Sequence, residues 1–315
     1  MTLTPAPFHA DVANGPEGGC AYWLTTSDDV QIRIGVWNGG DKGTVLLFPG
    51  RTEFIEKYGA AAKAFQDRGF STVAVDWRGQ GLAARALDNR LIGHVDKFNE
   101  YQADVAAVIA ALPELNLPKP LGLFAHSMGG CIGLRALMEG LPVVGAVFTG
   151  PMWDIALDPV RRSAGWVLSS LTRNTRFERL IAPGTSETSY VLAHPFEDNL
   201  LTRDTGMFEN MRQQLIAHSD LALGGPSFAW FNEALKECRA LALNPSPDVP
   251  TITFLGTNER IVDMDAIRDR MARWHNGDLR IIEGGEHEVA MDLPDVQAEV
   301  FDGAVELYLK AAADA

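Results

Sequence analysis

The stretch Leu121-Gly122-Leu123-Phe124-Ala125-His126-Ser127-Met128-Gly129-Gly130 decides the fold. Its first five residues form a short apolar run of strand character, and residues 128–139 carry apolar side chains at helical spacing. Ser127 stands at the junction. Strand, sharp turn and helix in that order are the setting of a nucleophile elbow. So tight a turn demands small residues two before and two after the serine, here Ala125 and Gly129. Ser127 would then project from the carboxyl edge of a sheet, and the N–H of Met128, at a helix start, would face any oxyanion formed there. Three small residues at fixed places arise by chance in about 0.1 to 0.2 copies per chain of this length. Serine is also a favoured helix N-cap. The motif therefore needs partners.

Outward from this stretch, residues 45–48 and 72–75 are continuous apolar runs suited to strands buried on both faces, and residues 30–37 alternate polar and apolar as a half-buried strand does. Helical spacing covers 55–67 and 101–112, the latter stopped by Pro113. A strand follows over 143–148. After a gap come a strand (251–255), a helix (265–274), a strand (279–282) and a helix (296–309). This alternation predicts an α/β chain, a mostly parallel, doubly wound sheet with helices on both faces. Residues 151–245 break the pattern yet carry Trp153, Trp166, Phe208, Phe228, Trp230 and Phe231. They are too many for a loop and too apolar for disorder. We expect a helical cap, or lid, inserted into a core of residues 1–150 and 246–315.

The chain has 315 residues, 46% of them hydrophobic. A domain of that size buries about three quarters of its unfolded surface and needs no metal or disulfide to fold. Lys and Arg number 27 against 41 Asp and Glu, a net charge of −14, which repels a polyphosphate backbone and argues against nucleic acid as a partner. Three separated cysteines, Cys20, Cys131 and Cys238, fit no disulfide framework. With no basic-then-apolar leader pattern and no run of 18 apolar residues, the expectation is a soluble cytoplasmic protein. The cap leaves room for transient contact with a membrane surface, although no cationic amphipathic helix is legible in it.

A serine hydroxyl needs a base beside it, and the base needs a group to orient it. On a sheet of this kind the partners follow in the order serine, acid, histidine, each after a strand. Among the histidines beyond Ser127, His194 and His218 fall in the cap and His275 closes a helix. His287 lies in Gly284-Gly285-Glu286-His287, directly after a strand. For the acid, the strand ending at Leu255 leads into Gly256-Thr257-Asn258-Glu259-Arg260-Ile261-Val262-Asp263. Glu259 is the favoured carboxylate; Asp263 is the alternative, and serves equally as the N-cap of the next helix. A second oxyanion donor is expected after the strand 45–48, where Pro49-Gly50 leads to the N–H of Arg51. The loop Asp76-Trp77-Arg78-Gly79-Gln80-Gly81 lacks the spacing of a phosphate-binding loop and reads as structural. His94 reads as a hydrogen-bonded structural histidine, and Cys131 as a small buried residue.

Taken together, Pro49–Tyr58 (P-G-R-T-E-F-I-E-K-Y), Asp76–Leu82 (D-W-R-G-Q-G-L), Gly93–Tyr101 (G-H-V-D-K-F-N-E-Y), Ala125–Gly130, Asn258–Asp263 (N-E-R-I-V-D) and Gly284–Glu288 (G-G-E-H-E) resemble the α/β-hydrolases, in particular the lysophospholipase and monoacylglycerol lipase branch of the serine hydrolases. The likeness covers nearly all of the chain outside the cap. It implies hydrolysis of the ester of a lysophospholipid or a similar single-chain lipid, with no metal or organic cofactor. This chain departs from the family's usual pattern in Ala125 for the opening glycine of the elbow, Pro49 for histidine in the oxyanion loop, and Glu259 for aspartate. A small-ester hydrolase, an aminopeptidase-like enzyme and a non-catalytic ligand-binding member are the competing readings.

Overall fold

In the computed structural model, residues 3–314 are described. Nine strands form one open sheet. In chain order they are β1 (Thr4–Ala6), β2 (Cys20–Thr25), β3 (Gln31–Trp37), β4 (Gly43–Phe48), β5 (Phe70–Asp76), β6 (Leu121–His126), β7 (Gly145–Thr149), β8 (Thr251–Gly256) and β9 (Gly277–Ile282). Their order across the sheet is β1-β2-β3-β5-β4-β6-β7-β8-β9. From β5 to β9 every pairing is parallel, while β1, β2 and β3 join antiparallel. The central strands β4, β5, β6 and β7 hold almost no exposed residue, as strands covered on both faces must.

Helices cover both faces. Over one lie α3 (Tyr101–Leu115), α4 (Met128–Met138) and α9 (Met264–Ala272), joined through Val105, Val108, Ile132, Leu134, Ile267 and Met271 to the sheet. Over the other lie α2 (Gly59–Gln66) and α10 (Pro294–Ala313), through Ala62, Phe65, Val300, Phe301, Ala304 and Tyr308. The short helix α1 (Ala10–Ala13) precedes β2. Between β7 and β8 the chain forms α5 (Pro159–Thr172), α6 (Tyr190–Ala193), α7 (Thr205–Ala217) and α8 (Phe228–Leu243), and contributes no strand to the sheet.

Four readings of the sequence change. The chain continues helically through Pro113 to Leu115 and ends at Asn116 in the left-handed region; a proline so near the end of a helix breaks little beyond it. The strand expected to be half-buried, β3, is almost wholly covered. Its polar residue Arg33 is tolerated there because Nε donates to Asp76 at 2.7 Å and both terminal nitrogens donate to Glu56, which compensates the desolvation of the charge. The strands β1 and β2 were not foreseen, since one is three residues long and the other mixes aromatic and small residues. Finally, α5 is an amphipathic helix turned outward: Gly165 and Ser169 face α8, while Val160, Val167, Leu168 and Leu171 stand exposed beside Arg161.

Candidate active site

The turn from β6 into α4 holds Ser127 at φ 49° and ψ −116°. A side chain in this sparsely populated region costs about 1–3 kcal/mol, so the surroundings must enforce it. They do so by closeness. A Cβ on Gly129 would overlap the carbonyl of Phe48, and one on Gly130 would meet Pro151 at 2.6 Å. The Ser127 N–H donates to Thr149 O at 3.1 Å, and its carbonyl accepts from Met152 N at 2.8 Å. The hydroxyl makes no N-cap hydrogen bond to α4. Capping therefore does not explain why a serine stands here.

The loop after β8 carries the two candidate acids, and the fold separates them. Nδ1 of His287 lies 2.6 Å from Oε2 of Glu259. The other oxygen of Glu259 accepts from the N–H groups of Ile261 (2.7 Å) and Val262 (3.1 Å). Burial raises the carboxyl pKa, but the neighbouring imidazole and these donors outweigh it and leave the group below its ordinary value. Asp263 instead accepts from the N–H groups of Asp265 and Ala266, capping α9. The shorter side chain took the cap; the longer one reaches the histidine.

The acid–histidine pair sits at the same sheet edge as the elbow. A Cβ on Gly150, just past β7, would fall 3.0 Å from His287 Nδ1 and 3.1 Å from Glu259 Oε2. The imidazoles of His126 and His287 lie 4.7 Å apart between centroids. Both Ser127 and His287 are buried. The N–H groups of Arg51 and Met128 flank this edge, and among the described residues neither donates to a protein acceptor. The Arg51 side chain turns away, stacking 5.1 Å over Trp230 and donating to Gly224 O; burial lowers its pKa to about 10, which leaves it charged at neutral pH.

A buried charge cluster beneath the site escaped the sequence reading. Glu53 accepts from Gly50 N, from the Tyr58 hydroxyl and from the Lys57 ammonium. Lys57 also donates to Glu288, whose other oxygen stands 3.3 Å from Nε2 of His126. Nδ1 of His126 lies 3.0 Å from Thr149 O. The cluster thus joins the loop carrying Arg51, the residue before Ser127 and the residue after His287. Burial opposes every charge in it, yet Glu288 is held well below its ordinary pKa by His126 and Lys57, and Lys57 is raised by Glu288 and Glu53. Glu53, His126 and Glu288 have ligand atoms close enough for a metal ion, but the Lys57 ammonium already bonds both carboxylates and supplies the compensating cation. The legible signal was Glu53 and Lys57 four residues apart across the start of the helical stretch 55–67.

Residues between β7 and β8 also hold the histidine. Leu200 O accepts from His287 N at 3.3 Å and Leu201 O from Glu288 N at 2.7 Å. The Asp76–Gly81 loop is structural, as expected: Trp77 Nε1 donates to Pro49 O and Gln80 Nε2 to Gly50 O, bracing the loop before Arg51. His94 bonds Ser227 Oγ at 2.8 Å. Cys131 is buried, and its pKa is raised well above the ordinary thiol value by burial and by Cys238 beside it, a proximity of two free cysteines that their sequence separation concealed.

Comparison with known proteins bears on the family and the fold. The sequence is 27% identical over 299 residues to lysophospholipase L2 of Escherichia coli, covering 90% of this chain and 86% of that one. Solved structures of similar fold include a monoglyceride lipase of Saccharomyces cerevisiae (TM-score 0.70, 18% identity, 91% of this chain and 94% of that chain). A monoacylglycerol lipase of Paleococcus ferrophilus is also similar (TM-score 0.68, 19% identity, 88% and 98%). Residues 39–294 match the hydrolase family described as serine aminopeptidase, S33. The chain therefore belongs to that family and has the α/β-hydrolase fold.

Proposed function

We propose that the protein hydrolyses the carboxylic ester of a single-acyl-chain lipid, a lysophospholipid or a monoacylglycerol, through an acyl-enzyme on Ser127. The observation that carries this reading is the 2.6 Å bond between His287 Nδ1 and Glu259, at the sheet edge where Ser127 is held at φ 49° without a capping role. With the Nδ1 proton directed to Glu259, Nε2 of His287 is the basic nitrogen. It takes the Ser127 proton as Oγ attacks the ester carbonyl, while the N–H groups of Arg51 and Met128 stabilise the oxyanion. His287 then protonates the departing alcohol. Water, deprotonated by the same nitrogen, releases the fatty acid and restores the serine. Glu259 keeps the tautomer and stabilises the imidazolium formed in each half.

In this reading residues 151–245 are a lid over the ester, and the carbonyls of Leu200 and Leu201 couple the lid to the position of His287. The lid also offers a surface for lipid. Of the eleven exposed large apolar residues among those described, six lie on residues 160–180: Val160, Val167, Leu168, Leu171, Phe177 and Leu180. Arg161, Arg176 and Arg179 stand exposed among them, a basic patch on an acidic protein that suits transient contact with an anionic bilayer. Three free cysteines suit a reducing, cytoplasmic setting.

Hydrolysis rates on a lysophospholipid, a monoacylglycerol, a short nitrophenyl ester and an aminoacyl anilide test the assignment. Turnover is expected on the first two above the short ester, with the anilide inert. Preference for the anilide would replace the esterase reading with the aminopeptidase named in the family description, and inertness on all four would leave a ligand-binding member.

A further inference from the structure

The guanidinium of Arg51 is a charge without a counter-charge. Three buried cations elsewhere each meet two carboxylates: Arg33 bonds Glu56 and Asp76, Lys57 bonds Glu53 and Glu288, and Arg78 bonds Asp28 and Asp104. Arg51 meets none among the described residues, and Tyr101 is the one neighbour that favours its charge. It donates a single hydrogen bond, from Nη2 to Gly224 O at 2.5 Å, and its face stacks 5.1 Å over the Trp230 ring. Nε is shielded from solvent and has no acceptor.

A shielded cation without a partner is costly to hold unless an anion meets it. Yet the seat is built to keep it. Stacking occupies the face of the guanidinium and leaves its in-plane donors open. Trp230 is itself fixed, its Nε1 donating to the Tyr101 hydroxyl at 3.1 Å. Gly93 leaves the room, since a Cβ there would fall 2.8 Å from Nη2 and 3.4 Å from Nε. Gly93 N donates to Gly225 O at 3.0 Å and Ser227 N to Gly93 O at 2.8 Å, which joins the two sides of the seat. A planar fork of N–H donors in a fixed orientation matches carboxylate or phosphate. Position selects between them. In the esterase reading the backbone N–H of Arg51 meets the oxyanion, and as many bonds separate that nitrogen from Nε as separate the ester oxygen of a lysophospholipid from its phosphorus. A fatty acid carries its carboxylate at the reacting carbon itself, and a monoacylglycerol offers only hydroxyls at the distance of the phosphate.

Resting on ester hydrolysis at Ser127, we propose that the Arg51 guanidinium binds the phosphate of a lysophospholipid and thereby sets the choice of head group. Rates on a lysophosphatidylglycerol and a monoacylglycerol of the same acyl chain, both below their micelle concentrations, test it. Wild type is expected to favour the phospholipid in kcat/KM. Arg51→Met should lower the ratio of the two kcat/KM values at least about tenfold, mainly through KM for the phospholipid. A general disturbance of the oxyanion loop would slow both esters and leave the ratio as it was. Arg51→Lys keeps the charge but loses the fork, and should fall between. Gly93→Ala displaces the guanidinium without removing it and should lower the same ratio; circular dichroism matched to wild type establishes that the variants are folded. The deacylated head group, glycerophosphoglycerol, should inhibit short-ester hydrolysis by wild type and not by Arg51→Met. Inhibition by inorganic phosphate alone would mark a free-anion site and overturn the head-group assignment. So would an unchanged ratio in folded Arg51→Met with both esters still cleaved, an outcome the esterase reading would survive. Wild type inert on both esters would overturn that reading, and the role of Arg51 with it.

Discussion

The ammonium of Lys57 donates to the carboxylate of Glu288, the residue that follows His287. Because Lys57 also bonds Glu53, whose carboxylate holds the Gly50 N–H, one buried cation fixes both the loop after β4 and the backbone beside the base. Lys57→Met leaves the buried carboxylates of Glu53 and Glu288 with His126 as their one neighbouring cation. The expected loss is about 3–5 kcal/mol, or a fall in Tm of about 5 °C or more, read by thermal unfolding. A loss under about 1 kcal/mol would show that the cluster rearranges without its cation.

The two carboxylates after β8 have separable roles. Glu259→Gln retains shape but removes the charge facing His287, and the expected fall in kcat is about 10²–10⁴-fold with little change in KM. Asp263→Asn keeps a capping side chain, and Asp263→Ala should cost about 1 kcal/mol of stability while the rate is nearly unchanged. Steady-state kinetics paired with denaturant melts distinguish the two. A large rate loss in Asp263→Ala would reverse the assignment.

Much of this site was legible because a steric constraint marks it. The short strand, Ser127 and the small residues Ala125 and Gly129 announce a turn that few other sequences could form, and the strand–loop pattern ahead of His287 and Glu259 placed them at the same edge. The sequence favoured Glu259 without removing Asp263, because capping and pairing differ only in side-chain reach and backbone direction. The Glu53–Lys57–His126–Glu288 cluster stayed hidden for another reason. Its members come from three separate stretches of the chain, and a buried charge reads in sequence as an exposed one until its partner is placed. Arg33 on β3 misled in the same way. The outward apolar face of α5 was invisible because its spacing is the same whether the stripe faces the core or solvent.

Gly150 adopts φ 46°, and a Cβ there would press on both His287 and Glu259. Gly150→Ala is expected to lower kcat at least tenfold by displacing the base, since errors of about 1 Å in such a constellation cost about that much or more. Kinetics on the purified variant check this, and an unchanged rate would show that the pair has slack the geometry does not suggest.

The pH dependence of stability follows from the shifted groups. Glu259 and Glu288 both lie below the ordinary value of 4.5 when folded. Their contribution is therefore fully present above pH 4.5 and is lost as pH falls through the folded values. His126 has the opposite sign. Burial alone would lower its pKa, but Glu288 and Glu53 raise it above 6.5, so its contribution is complete below pH 6.5 and fades as pH rises through the folded value. As far as these groups set it, the denaturation midpoint should peak between pH 4.5 and 6.5. Glu259→Gln should flatten the acid limb, and an acid limb unchanged in that variant would contradict the shift.

The central claim is that Ser127 is a nucleophile activated by His287. Labelling with a fluorophosphonate, followed by peptide mass mapping, tests it most directly. The account expects one adduct, on Ser127, abolished in Ser127→Ala and slowed by orders of magnitude in His287→Ala while both variants stay folded. An adduct on another residue, or labelling of the His287 variant at the wild-type rate, would contradict it.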